Sequence, residues 1–172
     1  MGQIIVDKKD INIISIINNI GDRVDKAIKN RDDREYLECL LILYNLIEYM
    51  LKWAVFFEGL WRYADTTSNQ KNFHKQWGEW QNFCSKRMQF YTANNIAMSM
   101  GIIDFQMYQR LDDIRAKRND LIHKLIIHTQ TKNAKDMHTK LTNASDIAKK
   151  LAEIVDDLII KIGFDEITHY LI

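Results

Sequence analysis

Arg118, Asn119 and His123 are the side chains whose types and spacing are best suited to chemistry in this sequence. A histidine can take or give a proton near neutral pH, and an arginine presents a planar fork of donors that matches a phosphate group. Asn119 lies four residues before His123, so the two side chains can touch if the segment is helical. Holding a phosphate and moving a proton are therefore both within reach of this short stretch.

Arg118 also stands where the pattern around it calls for an apolar residue. Projected at ~100° per residue, residues 104–130 place their apolar side chains on one side of a helix, with Arg118 in the middle of that side. An isolated charge is costly to bury, so the arginine must reach water, pair with an acid, or face something other than core. A structural ion pair with Glu48 or Asp112 is the plain alternative to a functional site.

The same projection gathers Asp112, Asn119 and His123 into a polar strip along one edge of the apolar face, with Arg115 between strip and face. Arg118 and His123 are five residues apart and diverge by ~140° on the ideal wheel. Only the length of the arginine, or a local kink, would bring both to one substrate.

The rest of the sequence predicts an all-α bundle of four to five helices in a single domain over residues 1–172. Proline is absent and glycine is scarce, which favours long helices. Helical spacing of apolar residues predicts helices over 10–29, 33–63, 86–100, 104–130 and 137–162, with a short aromatic helix near 73–83. Gly101 is expected to end one helix, Asp104 to cap the next, and Gly163 to end the last.

Several classes of site find no support in the residue patterns. Cys39 and Cys84 belong to no CxxC pair, and there is no HExxH motif, no Cys/His cluster and no glycine-rich phosphate loop, so neither a metal nor a cofactor is expected. The apolar stretch 40–57 is interrupted by Asn45, Glu48 and Lys52, which favours a buried helix over a membrane span. Without a signal peptide pattern, we expect a cytoplasmic protein that does not insert in a membrane.

The run GIIDFQMYQRLDDIRAKRNDLIHK, residues 101–124, resembles the signature helix of HEPN domains (higher eukaryotes and prokaryotes nucleotide-binding). Its hallmark is an Arg, four to six residues, then a His, commonly with Asn directly after the Arg, and Arg118, Asn119 and His123 match it. The helix containing LYNLIEYMLKWA is similar to the central helix of that family. The resemblance covers about two helices.

The resemblance implies a metal-independent endoribonuclease of the toxin or anti-phage defence type that forms a homodimer through the motif helix. The 2′-hydroxyl of RNA would attack the phosphate and leave 2′,3′-cyclic phosphate ends, with His123 as base or acid, Arg118 on the phosphate and Asn119 assisting. An antitoxin or other regulator is a possible partner. Inactive relatives imply the alternative, a non-catalytic helical module that binds RNA, a nucleotide or a protein.

One position departs from a branch of that family. In toxins paired with a nucleotidyltransferase antitoxin, a Tyr usually follows two residues after the motif His, and here that position is Leu125. The resemblance therefore does not extend to that branch or to its mode of neutralisation.

Charge around the motif adds candidates for RNA binding. Between Arg110 and Lys135 there are seven basic and three acidic residues, a net +4 in a chain of +1. Arg115, Lys117 and Lys124 are the candidate RNA-binding side chains, and a solvated face rich in Lys is the alternative. Asp112 and Glu48 are expected to contact the catalytic side chains without touching the RNA themselves.

The aromatic residues Trp53, Phe56, Phe57 and Trp61 are expected to lie in the core or a dimer interface rather than to form a base-stacking platform.

Overall fold

The computed structural model describes residues 19–20, 22–23, 25–26, 29–30, 33–66, 78–127 and 134–162, without the side chains at some helix ends. The described residues form helices joined by short non-helical segments, with no strand among them, which confirms the predicted all-α bundle. The helices are α1 (Asp33–Thr66), a π-helical turn (Phe83–Arg87), α2 (Phe90–Ser99), α3 (Phe105–Ile127) and α4 (Ala134–Ile162). The predicted loop after residue 66, the aromatic residues Phe73 and Trp77, Gly163 and the C-terminal tail lie outside the described residues.

The long helix α1 is the centre of the bundle, as its apolar spacing predicts. It packs most extensively against α4, and also contacts α2, α3 and the π-helical turn. The buried residues that α4 presents to the core include small ones, Ala144, Ala148 and Ala152, which let two helix backbones approach closely. At ~1.5 Å per residue, the 34 residues of α1 give a rod of about 51 Å, long enough to carry every other element.

By length and composition, α1 could span a membrane, and in this structure more than half of its most apolar window is packed inside the bundle. The segment Leu37–Arg62 has a mean hydropathy of 1.5 in its most apolar window, and 56% of that window is buried inside the fold. The predicted aromatic cluster lies within this packing. Phe56 and Phe57 are buried, and the Trp53 ring lies 5.0 Å from the Phe57 ring, which confirms a place in or against the core.

A tight contact fixes the π-helical region against α1. Trp80 Nε1 donates to the carbonyl of Phe56 at 3.3 Å. A Cβ at Gly59 would lie 2.6 Å from that same indole nitrogen, so only glycine leaves room for the ring. The Trp80 indole therefore packs directly on the backbone of the C-terminal half of α1.

The junction between α2 and α3 follows the predicted capping residues. Gly101 has a φ of 73°, and the amides of Gly101 and Ile102 donate to Met98 and Ala97 at 3.0 and 2.9 Å, a Schellman motif. Asp104 then caps α3, because its Oδ1 accepts from the amide of Met107 at 2.7 Å. The start of α3, and therefore the register of the motif it carries, is set by these two local features.

Two boundaries differ from the sequence expectation. The helix predicted over 86–100 begins only at Phe90, since Met88 and Gln89 separate it from the π-helical turn. Gln89 has an extended backbone, with ψ of 162°, and no proline or glycine marks the break. The last helix begins at Ala134, three residues before the predicted start.

Candidate active site on the motif helix

Arg118 reaches across the bundle from α3 to α1. Its Nη1 donates to Oε2 of Glu48, a residue 70 positions earlier in the chain. The Arg118 side chain is 25% exposed and that of Glu48 is 17% exposed, so the pair lies just below the surface. Of the two acids considered as partners from the sequence, the structure selects Glu48.

Lys52 shares the same carboxylate. Its Nζ lies 2.6 Å from Oε1 of Glu48, one helical turn further along α1, so the two oxygens of Glu48 hold two different cations. The three charges leave a net +1 at a half-buried surface. Such a cluster is ordered by its own ion pairs and still has positive charge to offer to an anion.

Asn119 and His123 continue the motif helix beyond this cluster. Asn119 is exposed, as its place in the polar strip predicts. The backbone at His123 is helical, which places it about 7.5 Å along the helix axis from Arg118 at ~1.5 Å per residue. The side chains of His123 and Lys124 lie outside the described residues.

Asp112 serves Arg115, its neighbour on the same helix. Arg115 Nε donates to Asp112 Oδ1 at 2.8 Å, and this hydrogen bond raises the pKa of the guanidinium further. The guanidinium also lies 5.5 Å from the centre of the Tyr91 ring on α2. Lys117 is paired in the same way with Asp113. Two of the three candidate RNA-binding cations are thus already paired within α3, which lowers the field they can offer to a distant phosphate.

Lys52 and Tyr91 are the contributors that sequence reasoning did not single out. Glu and Lys side chains four residues apart on a helix often form an ion pair, so the sequence alone could have predicted that Lys52 contacts Glu48. Tyr91 had none, because only the packing of α2 beside α3 brings it under Arg115.

Metal-ligand clusters and reactive thiols are the other two features of interest among the described residues. Within them, no three His, Cys, Asp or Glu side chains group as metal ligands do. Burial raises the pKa of the Cys84 thiol to about 12, so this cysteine is protonated at neutral pH and is a poor nucleophile. Cys39 is buried as well, and burial likewise raises the pKa of its thiol.

No family model, no curated protein and no solved structure matches this chain.

Proposed function

We propose that this protein is a metal-independent endoribonuclease of the HEPN type, with Arg118 and His123 catalytic and Asn119 assisting. The observation that supports it most is the placement of Arg118. Glu48 holds its guanidinium just below the surface of the same helix that carries Asn119 and His123. An arginine restrained in this way needs little reorganisation when charge develops on a phosphate.

The reaction needs only groups that this segment carries. His123 accepts the proton of the RNA 2′-hydroxyl, whose oxygen bonds to phosphorus while the bond from phosphorus to the 5′-oxygen breaks. A protonated His123 of a second copy gives its proton to that leaving oxygen, so the products are a 2′,3′-cyclic phosphate and a 5′-hydroxyl. A homodimer through the motif helix supplies both histidines. It also lets Arg118 of one copy act with His123 of the other, so the ~140° divergence between the two side chains within one chain is no obstacle.

Glu48 and Lys52 set the state of the arginine in this mechanism. The hydrogen bond to Glu48 uses Nη1, one of the three nitrogens of the guanidinium, which has five N–H donors in all. Lys52 offsets the negative charge of Glu48, so the carboxylate orients Arg118 without cancelling the attraction of the cluster for a phosphate. The cellular role that fits such an enzyme is a cytoplasmic toxin or anti-phage effector controlled by an antitoxin or other regulator.

The same ion pair favours a second candidate, a non-catalytic helical module that binds RNA, a nucleotide or a protein partner. A cross-helix pair between α1 and α3 is a sufficient structural reason for an arginine in an apolar row. In that case Arg118 ties the two helices together and His123 has no reaction to perform.

Cleavage of RNA separates the two candidates. Purified wild type, His123→Ala and Arg118→Lys would be incubated with total RNA and transfer RNA in EDTA, with His128→Ala as the matched histidine control. For the enzyme, we expect wild type and His128→Ala to leave cyclic phosphate and 5′-hydroxyl ends. We expect His123→Ala to lose about 10²-fold or more, and Arg118→Lys to fall because the ammonium lacks the guanidinium fork.

Equal cleavage by wild type and His123→Ala would mean a contaminating nuclease and remove the proposal. Absence of cleavage in all samples, together with a loss of stability or self-association in a further variant, Arg118→Ala, would leave the binding module as the function. Thermal unfolding of each variant shows whether a lost activity reflects the site or the fold.

A further inference from the structure

One face of α3 leads from its N-terminus to the candidate site. Phe105, Tyr108, Asp112, Arg115 and Asn119 recur every three or four residues and fall within ~80° of one another at ~100° per residue. All five are exposed or half-buried, so this face is turned to solvent. The 14 steps from first to last cover about 21 Å at ~1.5 Å per residue, which is room for several nucleotides.

Contacts with α2 and within α3 order the rings on this face. Arg115 lies over the Tyr91 ring at 5.5 Å, and the Tyr108 hydroxyl donates to Asn95 Oδ1 at 3.1 Å. The rings of Phe105 and Tyr108 are nearly parallel, with an interplanar angle of 14° and 6.2 Å between centroids. We call Tyr91, Phe105, Tyr108 and Arg115 the aromatic strip. Its members are held in place before any partner arrives.

Packing within the bundle does not explain why two large rings of the aromatic strip are exposed to solvent. Tyr91 is 53% exposed and Phe105 is 58% exposed. A single exposed aromatic ring is ordinary, but here two lie on the same surface as Arg115, which contacts one of them, and this surface runs into the motif. Exposed rings on the same surface as an arginine are what unpaired bases stack on.

We propose that the aromatic strip binds single-stranded RNA and guides it to Arg118 and His123. Bases stack on the rings of Phe105 and Tyr91, and Arg115 exchanges part of its contact with Asp112 for a phosphate. The choice of RNA as occupant rests on the proposed function. Because Arg115 and Lys117 are already paired with aspartates, base stacking carries more of the affinity than phosphate charge does. Double-stranded RNA, whose bases are not free to stack on side chains, binds poorly to such a surface.

Binding is measured by fluorescence anisotropy with a labelled single strand of about 12 nucleotides and its duplex. His123→Ala is the background, so that the RNA stays intact. In it, Tyr91→Ala and Phe105→Ala are each expected to raise Kd about tenfold, and Tyr91→Phe to stay within about twofold of the background. Tyr49→Ala is the matched control, since Tyr49 is also 53% exposed but lies on α1. We expect it to change nothing, and the duplex to bind at least about tenfold more weakly than the single strand.

Unchanged Kd in both alanine variants, a duplex bound as tightly as the single strand, or an equal loss in Tyr49→Ala would overturn the inference. So would strip variants that bind RNA normally but lose self-association, because the strip would then be a protein interface. Cleavage by wild type is scored separately. If the strip binds RNA but wild type does not cleave it, the inference stands and the ribonuclease proposal fails. If wild type cleaves RNA and the strip variants cleave it equally well, the ribonuclease proposal stands and the inference fails.

Discussion

Two glutamates of α1, ten residues apart, organise two ion clusters of the same design. Each pairs with a cation four residues later on α1 and with a cation from another helix. Glu48 holds Lys52 at 2.6 Å and Arg118 of α3, and Glu58 holds Arg62 at 2.8 Å and Lys161 of α4 at 3.6 Å. The second cluster contains none of the motif residues Arg118, Asn119 and His123. A charged residue in an apolar row with a buried partner is therefore not by itself the mark of an active site.

The clusters differ in where their cations go. Arg62 also donates to the carbonyl of Met100 at the end of α2, and Lys161 lies 4.9 Å from the centre of the Trp61 ring, so this cluster ties three helices together. Its cations are about half exposed, 53% for Arg62 and 46% for Lys161, whereas Arg118 is 25% exposed. The Glu48 cluster instead borders the polar strip with Asn119. Its surroundings, rather than its ion pairs, set it apart.

The largest expected effect is on RNA cleavage. Arg118→Ala should lower kcat/KM by about 10²- to 10³-fold, because in the proposed mechanism it removes the cation that stabilises the phosphate in the transition state. Arg62→Ala, which breaks the corresponding pair of the other cluster, should leave kcat/KM within about threefold. Comparable losses in both variants would mean that the two clusters act alike through stability, and the catalytic assignment of Arg118 would fail.

Glu58 is more buried than Glu48, but we expect the removal of Glu58 to cost less stability than the removal of Glu48. Glu48→Ala leaves Arg118 and Lys52 half-buried without their anion, so we expect a loss of about 2 kcal/mol of unfolding free energy. Glu58→Ala leaves cations that water already reaches, and we expect about 1 kcal/mol. Urea titration of both variants measures the difference. A larger loss for Glu58→Ala would show that the buried carboxylate itself, and not the hydration of its partners, decides the cost.

A smaller effect tests whether Glu48 positions Arg118. Glu48→Gln keeps an acceptor of the same shape but loses the charge, so the arginine is held less firmly. We expect kcat to fall about tenfold with KM nearly unchanged. Glu58→Gln should leave both constants within about twofold. If KM rises while kcat is unchanged in Glu48→Gln, Glu48 acts on substrate binding and not on the orientation of Arg118.

The smallest effect concerns salt. In double-mutant cycles, the coupling between Glu58 and Lys161, about 0.5 kcal/mol or less, should vanish between about 0.1 M and about 1 M NaCl because Lys161 is half exposed. The coupling between Glu48 and Arg118, about 1 to 2 kcal/mol, should keep most of its value over the same range. Equal salt dependence would show that both pairs are hydrated to the same extent in solution.

Local rules account for the parts of the fold that were predicted correctly. The apolar row in α1 includes Tyr44, Ile47 and Leu51, which are all buried, and the helix spans Asp33–Thr66 against an expected 33–63. Gly101 and Asp104 end one helix and start the next as expected, since each acts through hydrogen bonds within a few residues. The break at Met88 and Gln89 was missed because neither residue type disfavours a helix.

The candidate site divides in the same way. The sequence placed Arg118, Asn119 and the backbone of His123 on one helix, because their spacing and the apolar row around them follow from the period of the helix. It narrowed the partner of Arg118 to Glu48 or Asp112 and went no further. Glu48 belongs to a different predicted helix, so the wheel of residues 104–130 does not include it, and only the packing of α1 against α3 brings it to Arg118.

By itself, then, the sequence determined most of the described helices, the caps at Gly101 and Asp104 and which residues share a face, since these depend on neighbours within one or two turns. Only the tertiary structure decided that Glu48 takes Arg118 and that Arg115 lies over the ring of Tyr91. Those choices depend on how α1, α2 and α3 pack against one another. Contacts across 70 residues of chain arise from the summed burial of many side chains, which no local spacing encodes.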